Sequence, residues 1–170
     1  DKKTYYDWPN TYSLIRKLQP NAVIFSDSGP DIRWVGNEKG YANKTTWSNI
    51  YRDSVYTGMV DYSKFSSGQE NGTHYIPTET DVSIRPGWYY HPEQDDKVKS
   101  LEKLIDIYFN SVGLNSSLLL NIPVDTRGLI HENDAKRMIE LNNYLKSTFK
   151  NNLITNSKIS INKRKVSLKN

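Results

Sequence analysis

The chain has no cysteine among its 170 residues, which excludes a disulfide framework, a cysteine-ligated zinc site and a cysteine nucleophile. It also lacks any apolar run near the roughly 20 residues that a membrane helix needs. A charged fraction of 25% and a mean hydropathy of −0.73 fit a soluble globular chain. Histidine is scarce: His74, His91 and His131 are the only three, and their wide separation in sequence gives no metal-ligand spacing. No metal and no cofactor are implied. Acidic residues are missing from 150–170, which hold six of the 23 Lys and Arg and leave 17 bases against 19 acids elsewhere. The net charge of +4 therefore belongs to a basic tail. Nothing resembles a nucleic-acid module, and no nucleic-acid partner is expected. No apolar h-region accompanies the opening Asp-Lys-Lys-Thr-Tyr-Tyr, so no signal peptide is read there.

Aromatic residues are plentiful, with twelve Tyr and four Trp. They suit carbohydrate contact and an ordinary β-rich core equally well. Asn43-Lys-Thr45, Asn71-Gly-Thr73 and Asn115-Ser-Ser117 fit the glycosylation acceptor pattern, but such triplets arise by chance and do not establish a secretory host.

Alternation of helical and strand periods organises the chain. Asp7, followed by Pro9, caps a helix that sets Leu14, Ile15 and Leu18 on one face. Ala22-Val-Ile-Phe25 has the length and composition of a buried strand. Residues 40–75 show no sustained period and predict a long excursion with a short helix near Trp47. Asp81-Val-Ser-Ile84 predicts a strand ended by Arg85-Pro-Gly. Val98, Leu101, Leu104, Ile105 and Tyr108 predict an amphipathic helix with Gly113 as its C-cap. Ser117–Ile122 is a second buried strand, and Ala135, Met138, Ile139 and Leu145 form the helix after it. This alternation favours α/β with a parallel sheet. Beyond Phe149, Lys158–Ile161 and Lys165–Leu168 predict two strands joined by a turn, too little to be stable alone. The boundaries that follow are 1–149 for the main body and 150–170 for a linker and hairpin.

The run Ser26-Asp-Ser-Gly-Pro-Asp-Ile-Arg-Trp-Val-Gly-Asn-Glu38 is rich in loop formers, follows an apolar strand, and ends in a carboxylate flanked by Gly36 and Gly40. In a (β/α)₈ barrel, loops leaving the strands' C-terminal ends carry the active site. The wording of this run resembles the acid/base loop of family 29 α-L-fucosidases, particularly the branch acting on α-1,3/1,4-linked fucose. Thr78-Glu-Thr-Asp-Val-Ser-Ile-Arg-Pro-Gly-Trp-Tyr-Tyr-His91, Ser111–Pro123 and Gly128-Leu-Ile-His-Glu132 resemble the same family in the same order.

The resemblance implies the C-terminal part of a (β/α)₈-type, TIM-like barrel, since 170 residues fall short of the roughly 200 to 250 a complete barrel needs. It also implies the start of a β-sandwich after residue 150. The implied activity is that of a retaining exo-glycosidase releasing terminal fucose from fucosylated oligosaccharides or glycoconjugates. A nucleophilic aspartate is expected upstream of Asp1, on the N-terminal part of the barrel, which would be a partner of this segment, and a periplasmic or secreted location is implied. Glu38 would be the general acid/base, its carboxyl desolvated among Trp34, Val35 and glycine backbone. Asp31 and Glu79 are the alternatives for that role. Trp88 is the foremost substrate-binding candidate, an indole suited to a sugar's apolar face; Trp34, Asp31 and Arg33 follow. A non-catalytic carbohydrate-binding or interaction domain derived from such a barrel stays open, because only one catalytic carboxylate is visible.

Overall fold

A computed structural model of the chain describes residues 5–59, 66–152, 158–162 and 165–169. Helix α1 (Trp8–Leu18) begins at Asp7, whose carboxylate accepts the Asn10 N–H at 3.1 Å, and ends on the basic Arg16 and Lys17. Both ends complement the helix's orphaned backbone groups and dipole. Strands β1 (Phe25–Ser26) and β2 (Ile32–Trp34) follow. A two-stranded antiparallel ribbon, β3 (Asn49–Ile50) with β4 (His74–Tyr75), lies in the excursion. Then come β5 (Thr78–Ser83), α2 (Leu101–Ser111), β6 (Ser116–Asn121) and α3 (Glu132–Thr148).

The main sheet has the order β1-β2-β5-β6, and every pairing in it is parallel. Strand alternation sends Val82 and Ile84 to one face, where they pack with Leu104 and Ile107 of α2 and Leu141 of α3. Each such buried side chain contributes roughly 1.5–3 kcal/mol. Tyr41, Leu118, Leu120 and Met138 close over this core. The other face carries Glu79, Asp81 and Ser83 of β5 beside their β6 partners Ser117, Leu119 and Asn121. It is open among the described residues: Phe25 and Leu119 are each 44% exposed.

Several elements depart from the expectations. The strand read at 22–25 is shifted to Phe25–Ser26 and is not buried, because β1 is an edge strand paired only with β2. Leu14 and Leu18, expected to share one helical face, are exposed. The run read as one loop from residue 26 contains β2, which the pattern hid because its central residue is an arginine. No helix forms at Trp47; the excursion instead packs Ile50, Val55 and Ile76 into a small core of its own, with a 3₁₀ turn at Arg52–Ser54. Helix α2 runs on through a 3₁₀ turn at Val112–Leu114, and Asn115, not Gly113, takes the left-handed conformation with φ 64°. Asparagine is among the few residues that tolerate that region. The C-terminal strands pair as expected, β7 (Lys158–Asn162) antiparallel to β8 (Lys165–Lys169); the intervening turn lies outside the described residues.

Candidate active site

Parallel strands carry their exits at one end of the sheet, and that is where the candidate residues converge. Trp34 closes β2, and the chain turns at Gly36 (φ 94°) to present Glu38. Gly40 (φ 76°) then folds the loop back so tightly that a Cβ there would lie 2.9 Å from Val82 and Ile107 side-chain carbons. Glycine is required at this close approach, because the neighbours belong to the packed core.

From the exit of β5, Arg85-Pro-Gly leads to Trp88, which is half-buried. Its indole Nε1–H donates to Glu38 Oε2 at 3.0 Å. The Asn121 side chain, at the end of β6, donates to the Trp88 carbonyl at 2.8 Å and to Ser83 Oγ at 3.1 Å. On the neighbouring strand, Trp34 Nε1–H donates to Asp81 Oδ1 at 2.6 Å. Three strand exits thus deliver two indoles, each holding one carboxylate.

Glu38 itself is exposed, contrary to the burial expected for it, because Val35 turns into the interior and the loop tip projects outward. Desolvation falls on β5 instead. Asp81 is pushed above the usual carboxylate range first by burial and further by the nearby Glu38 charge, although the Trp34 hydrogen bond opposes this. Glu79 is likewise pushed up by burial and then by Asp81. The face therefore holds two neighbouring carboxyl groups, Glu79 and Asp81, whose ionisation is disfavoured by burial and by the charge of a nearby carboxylate, the kind of environment in which proton transfer is found.

Asp31 and Arg33 are not brought to this cluster. Asp31 precedes β2, at the opposite end of the sheet, where its carboxylate takes both the Arg16 guanidinium and the Ile24 N–H. Arg16 holds that carboxyl below the usual range. Arg33 alternates to the helix side of β2 and is 2% exposed. It donates to the carbonyls of Ile76 (3.2 Å), Ser66 (2.9 Å) and Trp47 (2.6 Å), tying the excursion to the sheet. The residue that sequence reasoning passed over is Asp81. Its signal was the spacing Glu79, Asp81, Ser83, which a strand beginning at Thr78 sends to one face. Among the described residues no group of His, Asp and Glu is placed to hold a metal ion, and no helix is long and apolar enough to cross a membrane.

The raised Asp81 carboxyl has a measurable consequence. Between its unfolded value and its higher folded value the native state binds more protons than the unfolded chain, so stability falls as pH rises through that window. Asp81→Asn, whose amide oxygen can still accept from Trp34, should raise the melting temperature at pH 7 and lose that advantage at pH 3. Melting curves at the two pH values check this; an equal shift at both would show that ionisation of Asp81 has no part in it.

Residues 3–150 match the family profile described as alpha-L-fucosidase. The chain is 44% identical over 153 residues to alpha-L-fucosidase 1 of Arabidopsis thaliana, an alignment covering 90% of this chain and 30% of that protein. Among solved structures it superposes on a glycoside hydrolase 29 family member from an unknown rumen bacterium with TM-score 0.83 and 45% identity, covering 95% of this chain and 29% of that one. It also matches a Ruminococcus gnavus GH29 fucosidase in complex with fucose, with TM-score 0.75 and 30% identity, covering 91% of this chain and 33% of that one. The chain thus spans about a third or less of the length of these relatives. On the strength of a match over most of its residues, the chain belongs to the α-L-fucosidase family of glycoside hydrolases, family 29.

Proposed function

We propose that this chain is the acid/base side of a retaining α-L-fucosidase, selective for α-1,3/1,4-linked fucose on fucosylated oligosaccharides or glycoconjugates. The observation that carries the reading is the pairing of Glu38 with the Trp88 indole at the exits of parallel strands, beside Trp34 and Asp81. The four-stranded sheet would be one arc of a (β/α)₈ barrel, with its open, carboxylate-bearing face as the barrel interior, and β7 and β8 would begin a β-sandwich. The rest of the barrel, including the nucleophilic aspartate, would belong to sequence outside these 170 residues; in support, the chain covers 30% of the Arabidopsis relative and 29% of the rumen-bacterium structure.

In the first step the aspartate attacks the anomeric carbon while Glu38 gives its proton to the departing glycosidic oxygen, leaving a covalent fucosyl-enzyme. In the second, Glu38, now a carboxylate, takes a proton from water as that water attacks the same carbon and frees the aspartate. Two inversions give net retention. Trp88 fits a double part, orienting the Glu38 carboxyl through Nε1 and offering its ring to the sugar. Trp34 restrains Asp81 below them.

Proton NMR of the sugar first released by the full-length enzyme tests this. α-L-Fucose should appear first from both an aryl α-L-fucoside and a Lewis-type trisaccharide. Initial β-L-fucose would exclude retention, and binding of fucose without turnover of either substrate would leave a carbohydrate-binding module.

A further inference from the structure

Nine residues separate Arg85 from Asp95, and the loop they form carries Trp88. Its backbone hydrogen bonds are local turns near the far end: Gln94 to His91, Asp95 to Pro92 and Lys97 to Gln94. Those turns do not fix where the loop lies over the sheet. Side chains do: Asn121 holds the Trp88 carbonyl in the loop's middle, and a network gathers its two ends.

Arg85 is fully buried, and its Nε donates to both oxygens of Asp134 on α3 at 3.1 and 2.8 Å. Its Nη1 donates to Asp95 Oδ1 at 2.8 Å, closing the loop on its own first residue. The other Asp95 oxygen accepts from the Tyr90 hydroxyl at 3.2 Å and lies 3.3 Å from His131 Nε2. Asn133 Nδ2 donates to the Asp95 carbonyl at 2.7 Å. The Tyr90 ring lies against the guanidinium, 4.9 Å from Cζ. Lys99 Nζ donates to the carbonyls of Ser83 (2.6 Å) and Arg85 (3.1 Å), pinning the strand exit from the other side. One carboxylate therefore gathers the loop's start, its middle and the N-terminus of α3.

We propose that Asp95 is a positioning residue: by latching the 85–95 loop onto Arg85, Tyr90 and α3, it holds Trp88 where the indole N–H orients the Glu38 carboxyl. The inference rests on the acid/base reading of Glu38. Asp95 touches no reacting atom. It acts through the loop that carries Trp88, and the acid step feels the loss because a proton donor must meet the glycosidic oxygen at hydrogen-bond distance.

The test is a double-mutant cycle in the full-length enzyme with Asp95→Asn, Trp88→Phe and their combination, on fucosides with poor and with activated leaving groups. Trp88→Phe keeps an aromatic ring for the sugar and deletes the N–H to Glu38 together with part of the indole's volume. Asp95→Asn should lower kcat/KM on the poor leaving group about tenfold and on the activated phenol much less, and should add nothing in the Trp88→Phe background. Additive losses, equal losses on both substrates, or no loss with Asp95→Asn would each overturn the latch. If Asp95→Asn fails to fold, Tyr90→Phe removes a single hydrogen bond from the same carboxylate and must show the same signature at smaller size. Trp88→Phe without a leaving-group signature would also refute the latch, while a persisting signature with Glu38→Gln would leave the acid/base reading standing.

Discussion

Glu38→Gln in the full-length enzyme should lower kcat/KM on fucosylated oligosaccharides by roughly 10²–10⁴-fold, the usual contribution of a positioned general acid. The loss of glycosylation rate on a fucoside with an activated phenol leaving group should be far smaller. A sugar alkoxide is a poor leaving group and needs the proton; an activated phenolate departs without it. Glutamine keeps the shape of the side chain and an oxygen for the Trp88 indole to donate to, so the substitution removes the proton and little else. The deglycosylation step then lacks its base, and fucosyl-enzyme should accumulate on the activated substrate. Azide, which needs no deprotonation, should restore turnover and yield a fucosyl azide of α configuration, since its attack on the β-linked fucosyl-enzyme is a second inversion that undoes the first. Leaving-group dependence and azide product together identify the role. Equal losses on both substrates with no azide product would move the acid/base function to another carboxylate, and Asp81 and Glu79, both pushed above the usual carboxylate range by burial on the same face, would be the next to test.

The parts of this chain that were legible in sequence are those in which one physical demand dominates. In α2, Leu101, Leu104 and Ile105 of the expected face do reach the core, although Ile107, which the expected period leaves out, is buried there with Leu104. Ser117–Ile122 falls within a residue of β6. β2 was hidden because Arg33 is a buried residue whose charge is spent on three backbone carbonyls; hydropathy scores it as surface. Phe25 and Leu14 depart in the opposite sense, being apolar residues that stand exposed among the described residues.

The site divides in the same way. Glu38, Trp34 and Trp88 stand out by residue type and by the wording of their motifs. That Trp88 reaches Glu38 across fifty residues, and Trp34 reaches Asp81 across forty-seven, depends on the register of β2 with β5, which no local pattern encodes. Burial was also misassigned. Glycines around Glu38 suggested enclosure, yet they serve the turn and the close approach at Gly40, while the desolvated carboxyls lie on the strand beside it.

The largest expected effect on stability belongs to Arg85 and Asp134. Both side chains are fully buried, joined at 2.8 Å, and they tie the exit of β5 to the first turn of α3. Asp134→Leu deletes the acceptor of Arg85 Nε and leaves the guanidinium with Asp95 as its remaining carboxylate. Removing one member of a buried pair costs about 3–5 kcal/mol, because the survivor keeps its desolvation penalty without its partner. Asp95 cannot take up the loss, since its own oxygens are committed to Nη1 and to Tyr90. The double variant Arg85→Met/Asp134→Leu removes both charges and fills the space with apolar side chains, so it should recover much of the stability lost by Asp134→Leu alone. It should not recover activity, because with Arg85 gone Asp95 has nothing at the strand exit to close upon and the Trp88 loop is released. Denaturant midpoints and kcat/KM on the same three proteins separate the two roles. A cost below about 1 kcal/mol for Asp134→Leu would mean that water reaches the guanidinium, and recovery of both stability and activity in the double variant would reduce the pair to packing.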